Sequence, residues 1–200
     1  MSLKNPVIVG LDEAGRGALA GPVVAGACML CPELSDHSFI QDSKKLTPEI
    51  REEAYAWITE NCTWGVGIVK ASVIDDEGIL AATEQAMQKA LAVIEKEITP
   101  TYLIIDGRDK FWFNYPHSSV IRGDESEVCI AAASILAKIT RDRLMIKYAK
   151  KHSYGFEEHK GYGTTDHFAA IQKNGVSPMH RKTFLKNVTA APASTAGARQ

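Results

Sequence analysis

Residues 6–17 read PVIVGLDEAGRG. The apolar run up to Leu11 has the length of a buried strand, and Asp12-Glu13-Ala14-Gly15 closes it. A strand is therefore expected to enter a turn here. Neighbouring strand residues face opposite ways. For Asp12 and Glu13 to act together, the strand is expected to end between them. Gly15 and Gly17 fit a turn that bends back, and glycine lets a backbone come close to a ligand.

The same pattern recurs further along. Apolar, β-branched runs at 22–31, 63–70 and 101–105 read as strands, with a short fifth at 120–121. The fourth stops at Asp106-Gly107. Thr47-Pro48-Glu49 has the chemistry of a helix start. Ser72-x-x-Asp75 reads as a capping box opening one long helix towards Glu97. A second long helix is expected over 126–151, with Val128, Ala132, Ile135 and Ile139 on one face. A shorter helix over 165–173 stops at Asn174-Gly175. The order of elements predicts one α/β domain over 1–188, a mixed central sheet flanked by helices. Its C-terminal portion, about 150–188, is helical. The small-residue stretch 189–200 is expected to be a disordered tail.

Composition bounds the rest. Of 200 residues, 45% are hydrophobic and 24% charged, ordinary for a globular chain with one sizeable core. This excludes a collagen-like repeat, a disulfide miniprotein and a wholly disordered chain. No uncharged apolar run approaches the ~20 residues of a membrane helix. The N-terminus lacks a signal-peptide stretch, so a cytoplasmic location and reduced thiols are expected for the four cysteines. Cys28-x-x-Cys31 lies in a strand-like run with no second pair at metal spacing, so buried free thiols are expected.

The net charge of -1 hides an asymmetry. Residues 71–137 carry 5 basic and 11 acidic side chains, net -6, whereas 138–186 carry 11 and 4, net +7. An acidic centre beside a basic third could hold cations in one place and a polyanion in another.

Ligands gather at the C-terminal ends of strands in α/β sheets. If the first and fourth strands are parallel neighbours, Asp12 and Asp106 lie side by side. Gly123-Asp124 precedes the second long helix, whose small residues (Ile130 to Ala137) allow close packing on the sheet. That brings Asp124 to the same edge. Four carboxylates there repel, at about 4 kcal/mol per pair for ~4 Å and an effective dielectric of ~20. Such a site calls for cations, and all-oxygen ligands select Mg²⁺ or Mn²⁺. His159-Lys160-Gly161-Tyr162-Gly163-Thr164 sets an aromatic ring between glycines among basic residues, with His180-Arg181-Lys182 further on. Lysine and arginine on phosphates with an aromatic stack suits nucleic acid. Lys44 and Lys45 could touch a phosphate.

DEAGRG at 12–17, GP at 21–22, DSKKLT at 42–47, DG at 106–107, GD at 123–124, IAAASILAKITRDRLM at 130–145 and HKGYGT at 159–164 together resemble the type 2 ribonuclease H (ribonuclease HII) family. The match runs from about Val7 to Arg181. The resemblance implies a ribonuclease H-like fold. It implies an endoribonuclease that cuts the RNA strand of RNA–DNA hybrids, and 5′ of ribonucleotides embedded in duplex DNA. It implies Mn²⁺ or Mg²⁺, two ions with substrate bound, on Asp12, Glu13, Asp106 and Asp124. Gly15-Arg16-Gly17 would read the ribose 2′-hydroxyl and Tyr162 would stack on the neighbouring deoxyribose. Lys44, Lys45, Lys160 and Arg181 would bind substrate. A monomer is expected, with a replication or repair protein as a candidate contact of the tail. Two segments depart from the family: Gly78 stands where many members carry asparagine, and the loop 108–118 is rich in aromatics.

Two other readings compete. A non-catalytic hybrid-binding protein would be expected to have lost a site carboxylate, and all four positions are acidic. A glycoside hydrolase also uses two carboxylates, but leaves Arg16, Tyr162 and the basic third without a role.

Overall fold

The computed structural model describes residues 6–30, 40 and 46–185. Lys44, Lys45, Cys31 and the stretch 189–200 lie outside them. Five strands form one mixed sheet: β1 (Ile8–Ala14), β2 (Val23–Met29), β3 (Thr63–Val69), β4 (Tyr102–Asp106) and β5 (His117–Val120). Their order is β3-β2-β1-β4-β5. The first three are antiparallel neighbours, while β4 pairs parallel with β1 and β5 parallel with β4. The expected α/β class and mixed sheet hold, and the fifth strand lies earlier than read.

The helices are α1 (Pro48–Asn61), α2 (Ala71–Glu77), α3 (Ile79–Ile94), α4 (Gly123–Ser126), α5 (Val128–Ala149), α6 (Phe156–His159) and α7 (Thr165–Asn174), before a 3-10 turn at Lys182–Phe184. Thr47 caps α1 as its chemistry predicts, accepting from the Ile50 N–H at 3.3 Å. Thr164 likewise caps α7, which stops at Gly175. On one face of the sheet, α3 shares a core with Leu11, Val23, Leu103 and Ile105. Ala131, Ala132, Ile135 and Leu136 of α5 pack with Cys28 and α1 in another. That approach is close because β2 carries Gly26, where a Cβ would meet the Ala133 carbonyl at 2.2 Å. The C-terminal elements have their own small core, in which Tyr154, Phe156 and Ile171 meet Ala20 and Met145.

Three expectations fail. The helix from 72 to 97 is two helices, because Gly78 adopts φ 86 and breaks the ladder. Ser72 and Asp75 form no capping box. Asp75 faces the C-terminal segment, accepting from the Lys182 N–H (2.9 Å), the Thr183 N–H (2.9 Å) and the Thr183 hydroxyl (2.6 Å). The long helix α5 starts at Val128, which shares the face of Ala132, Ile135 and Ile139 by spacing but is 37% exposed, burial beginning only at Ile130. Cys28, Cys62 and Cys129 form no disulfide among the described residues, and of the expected buried thiols only Cys28 is fully buried. Among the described residues, no helix is long and apolar enough to cross a membrane.

Candidate active site

β1 and β4 pair in register up to Leu11↔Ile105. The next residues are Asp12 and Asp106, which the parallel pairing sets side by side. The strand does not end between Asp12 and Glu13, as alternation had suggested; it runs on to Ala14. Past Leu11 it keeps only its β2 partner, so the β4 side lies open and both carboxylates reach the same cleft.

Asp12 is 5% exposed, and its carboxylate accepts from the Glu13 N–H at 2.7 Å. Burial, then the charges of Glu13 and Asp106, hold its carboxyl well above the usual range, while a hydrogen bond from Ser134 works the other way. Burial also raises Glu13, against the nearby Arg16. Glu13 Oε1 meets Arg16 Nη1 at 3.1 Å, and Arg16 Nη2 reaches Asp109 at 2.8 Å. Glu13 Oε2 is buried with no hydrogen-bond partner. Asp106 accepts from the Gly123 N–H at 2.7 Å, which ties β4 to α4. Asp124 follows in α4, 4% exposed, and does not line the cleft. Among the described residues no three His, Cys, Asp or Glu side chains are already closed around a point that could hold an ion.

The cleft has a volume of about 480 Å³. Gly15, Arg16, Gly17 and Tyr162 line it together with Asp12, Glu13 and Asp106, and Arg51, Ser134 and Lys138 complete it. Gly15 has φ +92, and a Cβ there would lie 2.0 Å from Arg141 Nε. A Cβ on Gly17 would meet nothing within 4 Å. Tyr162 is 38% exposed, with the Arg141 guanidinium 5.1 Å from its ring centre. Arg141 donates to the carbonyls of Pro22 (3.0 Å) and Ala20 (3.1 Å).

Two residues expected to bind substrate are placed otherwise. Arg181 is 0% exposed, with its donors on backbone carbonyls of the Gly15–Gly21 loop. Lys160 does not line the cleft, and its ammonium donates to the Glu157 carbonyl. Two of the four histidines of the basic third, His167 and His180, are also internal. His167 Nδ1 bonds the Tyr162 carbonyl (2.9 Å) and its Nε2 meets His180 Nε2 (3.0 Å). The Ser177 N–H donates to His180 Nδ1 at 3.1 Å. A carbonyl can only accept and an N–H only donate, so both rings are neutral and the proton between them sits on His180 Nε2. Sequence reasoning missed Arg51, Ser134 and Lys138 as cleft residues. Ser134, Lys138 and Arg141 follow at helical spacing, and that signal was present.

The Ribonuclease HII family matches residues 9–187. A Ribonuclease HII from Bacillus velezensis is 50% identical over 180 residues, covering 89% of this chain and 69% of that one. The crystal structure of the ribonuclease H2 from Pyrococcus horikoshii OT3 superposes with a TM-score of 0.69 at 24% identity, covering 90% of this chain and 96% of that one. A Bst-RNase HIII in complex with Mn²⁺ superposes with a TM-score of 0.68 at 18% identity, over 94% and 71% of the two chains. With a strand-end carboxylate pair, a glycine-flanked arginine loop and the family match spanning sheet, cleft and C-terminal helices, the chain belongs to the ribonuclease HII family.

Proposed function

We propose that the chain is a divalent-metal-dependent endoribonuclease. It hydrolyses the RNA strand of RNA–DNA hybrids and cuts on the 5′ side of ribonucleotides embedded in duplex DNA. One observation carries this reading: a single cleft joins Asp12, Glu13 and Asp106 to the Gly15–Gly17 loop and to the exposed Tyr162.

The donors fit a hard cation. They are all oxygens, Glu13 Oε2 is buried without a partner, and burial with mutual repulsion raises Asp12. Asp12, Glu13 and Asp106 of the cleft would hold Mn²⁺ or Mg²⁺, the former being the ion of the similar ribonuclease HIII complex; the family resemblance adds Asp124, buried next to the Gly123 whose N–H fixes Asp106. When bound, such ions supply Lewis acidity that activates water and stabilises the leaving oxygen of a phosphodiester.

The chain's own groups do the rest. Arg16 holds Glu13 Oε1 in place, and the Gly123 N–H fixes Asp106. Lys138 and Arg51 present positive charge to the phosphates from α5 and α1. The backbone at Gly15–Gly17 meets the ribose 2′-hydroxyl, the atom that separates RNA from DNA. Tyr162, carried on Arg141 and tied through its carbonyl to His167, stacks on the next sugar.

The test is a labelled hybrid, a duplex with one ribonucleotide and an all-DNA duplex, each with Mn²⁺ or with EDTA. Cleavage of the first two in Mn²⁺ alone is expected, 5′ of the single ribonucleotide. Binding without cleavage under every condition would leave a hybrid-binding protein instead. Cutting of the all-DNA duplex would overturn the ribonuclease reading.

A further inference from the structure

Arg181 is fully buried, and among the described residues its hydrogen-bond partners are three carbonyls rather than a carboxylate, with its guanidinium 5.2 Å from the Phe184 ring centre. Nη2 donates to Gly15 O (2.7 Å), Nη1 to Arg16 O (2.7 Å) and Nε to Gly21 O (3.1 Å). In a trans peptide the C=O of one residue and the N–H of the next point opposite ways, and the chain contains no cis peptide among the described residues. Drawing the carbonyls of Gly15 and Arg16 inward therefore turns the N–H groups of Arg16 and Gly17 the other way, towards the cleft both residues line. Among the described residues neither N–H donates to anything. Gly17 adds no side chain there, and a Cβ would have met only open space. Two adjacent unspent donors facing an open cleft fit a single ligand oxygen.

We propose that Arg181 is the positioning residue for ribose recognition: by holding the Gly15 and Arg16 carbonyls, it aims the N–H groups of Arg16 and Gly17 at a 2′-hydroxyl. This rests on the ribonuclease reading above and adds to it the residue that sets its selectivity. Lysine could not replace it. Three acceptors lie around one planar fork, whereas an ammonium is a compact point charge on a flexible stem. Burial, then the neighbouring Arg141, lowers Arg181 to about 9. It stays charged at neutral pH, so the carbonyls remain held under working conditions.

The experiment uses the full ¹⁵N-labelled chain in EDTA, so that binding is read without cleavage. A duplex with one ribonucleotide and the same duplex in all-DNA are titrated in turn. The Arg16 and Gly17 amide signals should shift, and their hydrogen exchange slow, only with the ribonucleotide duplex. In parallel, the ratio of all-DNA to ribonucleotide dissociation constants is measured for wild type and Arg181→Lys, with melting temperature recorded. The ratio should fall about tenfold for each misaimed N–H. Retained selectivity in a folded Arg181→Lys overturns the proposal. So do silent Arg16 and Gly17 amides in a wild type that cleaves only ribonucleotide duplexes; this outcome spares the ribonuclease reading and needs no variant to fold. A wild type that cleaves neither substrate overturns both.

Discussion

Gly15 and Gly17 stand two residues apart and are glycine for different reasons. Gly15 is required by the protein, through its φ of +92 and an Arg141 Nε that would lie 2.0 Å from a Cβ. Gly17 is required by nothing within 4 Å. Gly15→Ala is expected to cost about 1–3 kcal/mol of stability, read as a lower melting temperature. Gly17→Ala should melt like wild type and lose cleavage of ribonucleotide substrates; full activity would remove Gly17 from the ligand wall. Asp12 offers a second residue-scale test. Its carboxyl is raised by burial, then by Glu13 and Asp106, so the charged form costs stability at neutral pH and acid or a cation relieves that cost. Asp12→Asn should abolish cleavage yet hold or raise the melting temperature in EDTA, and a clear drop would contradict the repulsive site. The acidic residues were legible because a polar group ending an apolar strand is visible in one dimension. Arg181 was misread because the chain shows residue type and not burial; a guanidinium with three carbonyl partners reads the same as one on a phosphate.

At the scale of elements, periodicity told which residues share a face and not what that face meets. In α5, Ala131 to Ala133 were read as a packing surface, and they are buried. Ser134, Lys138 and Arg141 turn towards the cleft and the loop beneath Tyr162, a neighbour that only the fold supplies. Ser72-x-x-Asp75 misled for the same reason, since the partner of Asp75 lies over a hundred positions away. The joint between α7 and the segment after it gives a pH prediction. Burial, then the neighbouring His167, pushes His180 down to about 4, and burial lowers His167 as well. The unfolded chain thus binds protons that the fold resists, so stability is intact above about pH 6.5 and falls as pH drops towards 4. His180→Gln keeps an acceptor for the Ser177 N–H and a donor for His167. It should flatten the fall in melting temperature over that window, and an unchanged profile would assign acid lability elsewhere.

Across the whole molecule, the net +7 of residues 138–186 overstates what a polyanion would feel. Arg141 and Arg181 are buried and committed to carbonyls, and Lys160 donates to Glu157; His167 and His180, neutral in their hydrogen-bond chain, add nothing to the +7. Among the described residues, the positive charge that reaches the cleft is Arg16, Arg51 and Lys138. Arg16 is engaged by Glu13 and Asp109, Arg51 by the Leu46 carbonyl at 2.8 Å, and Lys138 by Asp142 at 2.7 Å. A single i,i+4 pair on one helix is worth little even when partly buried, so Lys138 can exchange Asp142 for a phosphate at small cost. Hybrid binding should therefore weaken with salt through Lys138 and Arg51 together with any cations outside the described residues. The slope of log affinity against log salt is about -0.9 per phosphate contact on B-form DNA. Lys138→Gln should make the slope shallower by about one contact, whereas Lys160→Gln should leave it unchanged. The reverse result would return the basic third to direct phosphate contact and take Lys138 out of it.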